Sequence, residues 1–128
     1  MPISVVQLGS PRTAGEGLRL GTVRRPPRGV PKTQWAKRNY YDLWFPLLSP
    51  TQELVTLALS AEDEKAWKTF ERKFIAEMKK PDPAHVLDLL AALSHSTNFA
   101  IGCYCEREDR CHRSVLRKLL VQRGAEFR

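Results

Sequence analysis

The sequence predicts an α/β fold, with a single Rossmann-like domain over residues 1–128 in which about four helices flank a mostly parallel sheet. Two strand-like segments come first, helical segments fill the middle, and a strand–loop–helix unit comes last. Strands that alternate with helices are typical of parallel sheets. A chain of 128 residues is also a usual size for one compact domain.

Three segments have the pattern of β-strands. Residues 3–8 form a β-branched run that ends before a Gly-Ser-Pro turn, and residues 18–23 alternate apolar side chains with others. Residues 97–105 form a third, mostly apolar segment. Its composition predicts a strand buried on both faces, as parallel sheets require.

Four helices are predicted from their end signals and from apolar side chains at helical spacing. Ser49 is the predicted N-cap of the first helix, and Ser60 is that of the second, which ends before Pro81. The third begins at residues 82–83, and the fourth ends at Gly124. The predicted buried residues are Trp67, Phe70, Phe74 and Met78 in the second helix, Val86, Leu89, Leu90 and Leu93 in the third, and Val115, Leu116, Leu119 and Leu120 in the fourth.

Positive charge is concentrated in the first third of the chain. The protein has 21 Lys and Arg against 14 Asp and Glu, a net charge of +7. Residues 1–38 hold eight of the basic side chains and one acidic side chain, so the whole excess lies there. If the fold brings this segment over a cleft, the surface would attract phosphates or nucleic acid. The alternative is a solvated basic surface.

Composition excludes several protein classes. The longest apolar run, residues 89–93, is far shorter than the ~20 residues that a membrane helix needs. The N-terminus lacks the pattern of a secretory signal. Three cysteines are too few for a disulfide scaffold, so a reducing cytoplasm is the expected compartment.

A basic, proline-rich loop is predicted over residues 24–38. Its prolines hold Arg25 and Arg28 extended, which suits a clamp for a phosphate or carboxylate. Aromatic side chains follow closely, and basic and aromatic groups together can hold single-stranded nucleic acid. The same aromatic side chains are equally able to cover the sheet; they are Trp35, Tyr40, Tyr41, Trp44 and Phe45.

The strand–loop–helix region, residues 98–122, is the most informative part of the sequence. Ligands gather at the carboxyl ends of parallel strands, and the first turn of a helix presents free N–H groups to anions. Arg113 and Ser114 add a guanidinium and a hydroxyl at this turn. They predict an anion site, unless Arg113 instead pairs with an acidic neighbour (Glu106, Glu108 or Asp109).

The same region carries three thiols and an imidazole, a set that suits zinc: Cys103, Cys105, Cys111 and His112. Their spacing argues against a metal. Side chains two apart in a strand point to opposite faces, and adjacent side chains on a helix converge poorly. We therefore predict no metal and no cofactor.

A thiol nucleophile is a further alternative. Cys111 lies at a predicted helix N-terminus, where its thiolate would be stabilised. His112 beside it would act as an acid–base group, and Cys105, at the end of the strand, is the other candidate nucleophile. Free cysteines are also commonly small buried side chains with no chemical role.

Four motifs together resemble the family of domain of unknown function 488, over about residues 15–122. They are an Arg-Pro-Pro-Arg-Gly-Val-Pro-Lys segment at residues 25–32, a Tyr-Asp-Leu-Trp-Phe-Pro segment from residue 41, a Trp-x-x-Phe-x-x-x-Phe-x-x-Glu pattern from residue 67, and a Cys-His-Arg-Ser turn at residues 111–114. The resemblance implies a small prokaryotic, cytosolic α/β protein. It also implies that the Arg25/Arg28 loop and the Cys111–Arg113 turn approach each other at one end of the sheet.

These observations give a leading function and two alternatives. The leading expectation is a phosphorylated ligand, a small molecule such as a nucleotide or a nucleic acid, held by Arg25, Arg28, Arg113 and Ser114. The first alternative is an enzyme with a thiolate nucleophile. The second is a protein-interaction module that uses the apolar face at residues 44–48. No membrane partner is expected, and the oligomeric state is left open.

Overall fold

Four parallel strands form one sheet at the centre of the protein. The computed structural model describes residues 2–128. Its strands are β1 (Ile3–Gln7), β2 (Leu18–Gly21), β3 (Leu43–Trp44) and β4 (Phe99–Cys103), and their order in the sheet is β1-β4-β2-β3. The predicted α/β fold with a parallel sheet is thus confirmed. Strand β3 was not predicted, because its two residues are too short for a period to be visible.

Strand β4 occupies the middle of the sheet. It pairs with β1 along its whole length, from Ile3 opposite Phe99 to Gln7 opposite Cys103. On its other side it pairs with β2. All five of its residues are buried, as expected for a central parallel strand. The last residue of this strand is Cys103, so β4 delivers a thiol to the carboxyl edge of the sheet.

Four helices complete the fold: α1 (Gln52–Ser60), α2 (Glu64–Met78), α3 (Pro81–Leu93) and α4 (His112–Gln122). The predicted buried residues of α2 and α4 all lie in the core. Gly124 follows α4 with a φ of 82°, which is the left-handed conformation expected at a helix end. Within residues 2–128, no helix has both the length and the apolar character needed to cross a bilayer.

The predicted N-caps of the first two helices were wrong. Thr51, not Ser49, precedes α1, and the Ser49 hydroxyl donates to the carbonyl of Pro46 instead. Ser60 is the last residue of α1, and Asp63 caps α2 by accepting from the backbone N–H of Ala66. A carboxylate three residues from that N–H is a good acceptor, so the helix starts later than the serine suggested.

The buried face of α3 also differs from the prediction. Leu90 is buried as expected, but Leu87 is fully buried in place of Leu89, which is 57% exposed, and Leu93 is 38% exposed. Val86 packs partly against the core. Residues 89–93 are all apolar, so several helical phases fit the sequence equally well. Contacts with the neighbouring helices, which the sequence does not display, select the phase.

This difference gives a direct test. Leu87→Ala is expected to lower the free energy of unfolding by about 3 kcal/mol, because it removes a buried side chain and leaves a cavity. Leu89→Ala on the same helix is expected to change it by less than about 1 kcal/mol. Urea unfolding followed by circular dichroism measures both. Equal effects for the two variants would contradict the observed helix phase.

A second, smaller core lies beside the carboxyl ends of the strands. Its buried members are Leu8, Val23, Tyr41, Cys103 and Cys111, and the side chains packed partly against it are Trp35, Tyr40, Trp44 and Cys105. The ring of Tyr41 lies against Gly21, where an added Cβ would come within 2.2 Å of it. The aromatic residues after the basic loop therefore pack on the sheet, which was one of the two predicted roles.

Candidate functional site

A cleft of about 610 Å³ opens at the carboxyl ends of β2 and β4. Its walls come from the segment after β2, from α1 and from the segment between β4 and α4. Both the basic loop residues Arg25 and Arg28 and the turn residues Cys111 and His112 line it. The hydroxyl of Tyr104 donates to the backbone carbonyl of Arg25 at 3.0 Å, which ties the two segments together. The predicted approach of loop and turn is confirmed.

The floor of the cleft holds the three cysteines. The sulfur atoms of Cys103 and Cys105 are 3.8 Å apart. The expectation that these side chains point to opposite faces was wrong, because β4 ends at Cys103 and the strand alternation no longer applies at Cys105. The potential ligand atoms of Cys103, Cys111 and His112 all lie within 4.8 Å of one another, and all three residues are buried. Cys103, Cys111 and His112 therefore converge, although their spacing predicted that they would not.

His112 is held in one orientation by the segment that follows β2. Its Nε2 lies 2.5 Å from the carbonyl oxygen of Thr22 and 3.3 Å from the Thr22 hydroxyl. Because the carbonyl only accepts, Nε2 carries the proton in this arrangement. The other ring nitrogen, Nδ1, is 3.7 Å from the sulfur of Cys111. In the neutral ring, Nδ1 thus presents its lone pair to the thiol cluster.

Cys111 is the N-cap residue of α4 and the thiol of the cluster whose pKa is lowered. Hydrogen bonds from the Cys103 thiol, and then from Cys105, lower the pKa of Cys111 well below its usual value, and His112 adds to the effect. The pKa of Cys103 is raised, chiefly by its hydrogen bonds to Cys105 and Cys111. The Nε–H of Arg113 also donates to the Cys111 sulfur at 3.4 Å.

Arg113 does not face the cleft. It is only 2% exposed, and it donates to the carbonyls of Val6 and Cys105 at 2.5 and 2.6 Å. The Ser114 hydroxyl donates to the carbonyl of Cys111. Neither Arg113 nor Ser114 lines the cleft, which corrects their assignment to the ligand-facing surface. The alternative acidic partners of Arg113 are also wrong, because its acceptors are two carbonyls and a sulfur.

The rim of the cleft is strongly basic. Four arginines line it, namely Arg24, Arg25, Arg28 and Arg110, and none of the described lining residues is Asp or Glu. Arg24 is anchored to the carbonyls of Pro50 and Ser49. Arg110 pairs with Glu64 at 2.8 Å. Neither Arg24 nor Arg110 was predicted as a site residue, although each lies within a segment that was predicted to carry the site.

Two of the rim arginines have no acidic partner within residues 2–128. Across residues 2–128, no carboxylate pairs with Arg25 or Arg28, and both side chains are exposed. The Nε–H of Arg25 donates to the side-chain oxygen of Gln52 at 3.5 Å. Their charge is therefore directed at solvent in the mouth of the cleft.

One wall of the cleft is apolar, and aromatic rings stand at its edge. The apolar wall consists of Val55, Ala58 and Leu59 from α1 and Phe70 from α2. The rings of Tyr40 and Tyr104 meet edge to face, with centroids 6.3 Å apart. Helix α1 was not predicted to belong to the site, because the pattern of its apolar residues is typical of ordinary core positions.

The apolar face at residues 44–48, expected for a protein-interaction module, is mostly used within the chain. Leu48 is fully buried and Phe45 packs on the main core. The indole N–H of Trp44 donates to the carbonyl of Val23 at 2.8 Å. Only Leu47 is left exposed, at 37%. Most of this face is therefore used in packing within the chain, and the protein-interaction alternative stays a prediction.

Comparison with known proteins gives one match. A family model described as the active DUF488-N3 subclade matches residues 3–124. The comparisons with curated proteins and with solved structures found no match. The family match spans nearly the whole chain and includes both segments that line the cleft, so this protein belongs to the DUF488 family.

Proposed function

We propose that the cleft binds a phosphorylated ligand, a nucleotide or the end of a nucleic acid. The observation that carries the proposal is the charge of the lining: four arginines and no acidic side chain among the described lining residues. Guanidinium groups bind phosphate oxygens with two parallel hydrogen bonds. Arg25 and Arg28, which no carboxylate within residues 2–128 neutralises, are the groups proposed to bind the phosphate.

The apolar wall supports a ligand that also carries a base. A nucleobase is flat and mostly apolar on its faces, and it stacks on aromatic or aliphatic side chains. Tyr40 and Tyr104 lie on the same cleft as the apolar residues of α1. The volume of about 610 Å³ falls within the range of small-molecule sites, roughly 300–1,000 Å³. Inorganic phosphate alone would leave this wall unused.

The experiment is a thermal-shift panel of nucleotides, sugar phosphates and short single-stranded DNA and RNA at low salt. At ~100 times its dissociation constant, a ligand stabilises the protein by about 2.7 kcal/mol, which raises Tm by several degrees. The double variant R25A/R28A is expected to weaken binding at least about tenfold, because it removes charge-assisted hydrogen bonds. With a nucleic acid, the salt dependence of binding also decreases.

The matched control is R72A/K73A, which removes two positive charges from exposed positions of α2. It lowers the net charge as much as R25A/R28A does but leaves the cleft unchanged. The control is expected to bind like the parent. If both double variants lose binding equally, the attraction is due to overall charge and the cleft is not the site. If no ligand in the panel raises Tm, the proposal is wrong.

The enzyme alternative, with Cys105 or Cys111 as nucleophile and His112 as acid–base group, remains a prediction. It is favoured by the placement of both thiols and the imidazole on the lining of the cleft, where a bound ligand would meet them. The cytoplasmic location is likewise part of the proposal, because free thiols persist in a reducing compartment. The enzyme alternative requires that the thiols stay free to react with a substrate.

A further inference from the structure

We propose that Cys103, Cys105, Cys111 and His112 form a zinc site at the floor of the cleft. The inference goes beyond ligand binding and does not depend on it. Thiolates and imidazole are the preferred ligands of Zn²⁺, and three thiolates with one imidazole is an established structural set. The fold brings the donor atoms of Cys103, Cys111 and His112 within 4.8 Å of one another, and the sulfur of Cys105 lies 3.8 Å from that of Cys103, which makes Cys105 the proposed fourth ligand.

Two of the distances between donor atoms match the edges of a tetrahedron around zinc. With Zn–S bonds of about 2.3 Å and a Zn–N bond of about 2.0 Å, the sulfurs lie about 3.8 Å apart, and sulfur and nitrogen about 3.5 Å. The observed separation of the Cys103 and Cys105 sulfurs is 3.8 Å, and that of the Cys111 sulfur and His112 Nδ1 is 3.7 Å. The donor atoms of Cys103, Cys111 and His112 all lie within 4.8 Å of one another, so a contraction of about 1.3 Å at most closes that part of the site.

The histidine is oriented as in a ligand set. Zinc-bound imidazoles donate their other N–H to a carbonyl or carboxylate, which fixes the ring and the tautomer. The Nε2–H of His112 is directed at the carbonyl oxygen of Thr22. Nδ1 is thereby left with its lone pair on the side of the Cys111 sulfur. The hydrogen bond that orients a zinc-bound imidazole is thus already formed, between His112 and the carbonyl of Thr22.

The charge of Arg113 is explained by the same site. Its guanidinium is buried, and across residues 2–128 no carboxylate pairs with it. Buried cations are costly without a counter-charge. Zinc with three thiolates has a net charge of −1, and Arg113 donates to one of those sulfurs, on Cys111. The buried cation and the zinc–thiolate centre would neutralise each other.

The first test uses the unaltered full chain, freed of metal by a chelator under reducing conditions. Zinc sulfate is titrated against a chromophoric chelator, and one equivalent is expected to bind. Cobalt(II) in its place is expected to give the sulfur-to-metal charge-transfer band and the intense visible bands of tetrahedral cobalt. Failure to retain one equivalent of zinc against the chelator, or an octahedral cobalt spectrum, overturns the proposal.

Variants then assign the ligands. Cys105→Ser and His112→Gln are expected to weaken zinc binding at least about tenfold, whereas His85→Gln, an exposed histidine on α3, is expected to bind like the parent. Cys105 is only half-buried, so its variant is expected to fold, which circular dichroism checks. Equal zinc affinity in Cys105→Ser and His85→Gln would contradict the assignment.

Two further readouts separate this proposal from the others. R25A/R28A is expected to bind zinc like the parent. A loss of phosphate binding without a loss of zinc binding therefore distinguishes the two sites. Zinc is expected to slow alkylation of the three thiols by iodoacetamide strongly. Rapid alkylation of one cysteine at the same rate with and without zinc would overturn the metal site and favour the nucleophile alternative.

Discussion

Arg113→Met is expected to lower the free energy of unfolding by about 4 kcal/mol. The substitution keeps most of the side-chain volume but removes the three hydrogen bonds to Val6, Cys105 and Cys111. Each buried carbonyl left without a donor costs about 1–3 kcal/mol, and interactions with a charged group are at the upper end. The two carbonyls belong to β1 and to the loop after β4, so the loss separates segments that Arg113 holds together.

Urea unfolding followed by circular dichroism measures this effect, with Arg117→Met as the control. Arg117 lies one turn further along α4 and pairs with Glu108 at the surface, so its loss is expected to cost about 1 kcal/mol or less. An Arg113→Met protein as stable as the parent would show that the observed hydrogen bonds are wrong. An Arg113→Met protein that is as stable as the parent but no longer binds nucleotides would show that the Arg113 guanidinium contacts the ligand.

Arg19→Met is expected to be at least as destabilising, by about 5 kcal/mol. Arg19 is fully buried, and its guanidinium contacts the Glu16 carboxylate at 2.8 and 2.9 Å. It also donates to the carbonyls of Ser10 and Asn39. Removing one partner of a buried ion pair costs about 3–5 kcal/mol, because the other charge is left uncompensated. The two carbonyls lose their donor as well.

The charge on Glu16 makes part of this stability depend on pH. Burial by itself would raise the pKa of Glu16, but the hydrogen bonds and charge of Arg19 outweigh it and lower the pKa below its usual 4.5. The contribution of ionised Glu16 to the free energy of unfolding is therefore complete above pH 4.5. It is lost as the pH falls toward the pKa of Glu16 in the folded state. The parent is expected to lose stability in this acidic range more steeply than the double variant R19M/E16Q.

A double-mutant cycle with Arg19→Met and Glu16→Gln isolates the ion pair. R19M/E16Q is expected to be more stable than Arg19→Met alone, because it no longer buries an unpaired carboxylate. Strictly additive effects of the two substitutions would show that the pair is not coupled. Unfolding at pH 7 and at pH 4 gives both the coupling and its dependence on pH.

The sequence predicted the fold through features that are local. Strands and helices place apolar residues with a period of two or 3.6, and neighbouring residues are enough to show that period. This applies to the β-branched run at residues 3–8, the buried apolar face of α2 and the strand–loop–helix unit. The helix phase of α3 was not predictable, because its apolar run of residues 89–93 fits several orientations. Strand β3 was not predictable, because it is a strand through its pairing with β2 and not through its own composition.

The candidate site was predicted in its parts but not in its geometry. Both segments were predicted to carry the site, and all four cluster residues were considered as zinc ligands, but strand alternation predicted that their side chains would not converge. That argument fails because Cys105 lies beyond the last paired residue of β4. The role of Arg113 depended on acceptors on β1, 107 residues away in sequence. No local pattern carries that information.

The strand order has a consequence for how the protein is made. Strands β1 and β2 emerge early during synthesis, but neither pairs with the other, and both wait for β4 between them. The complete sheet therefore forms only after about four-fifths of the chain has left the ribosome, since β4 begins at Phe99 of 128 residues. Such long-range pairing is slow to form. Until then β1 has no partner strand and β2 can pair only with the two-residue β3, so strand edges stay open to non-native pairing while the chain is incomplete.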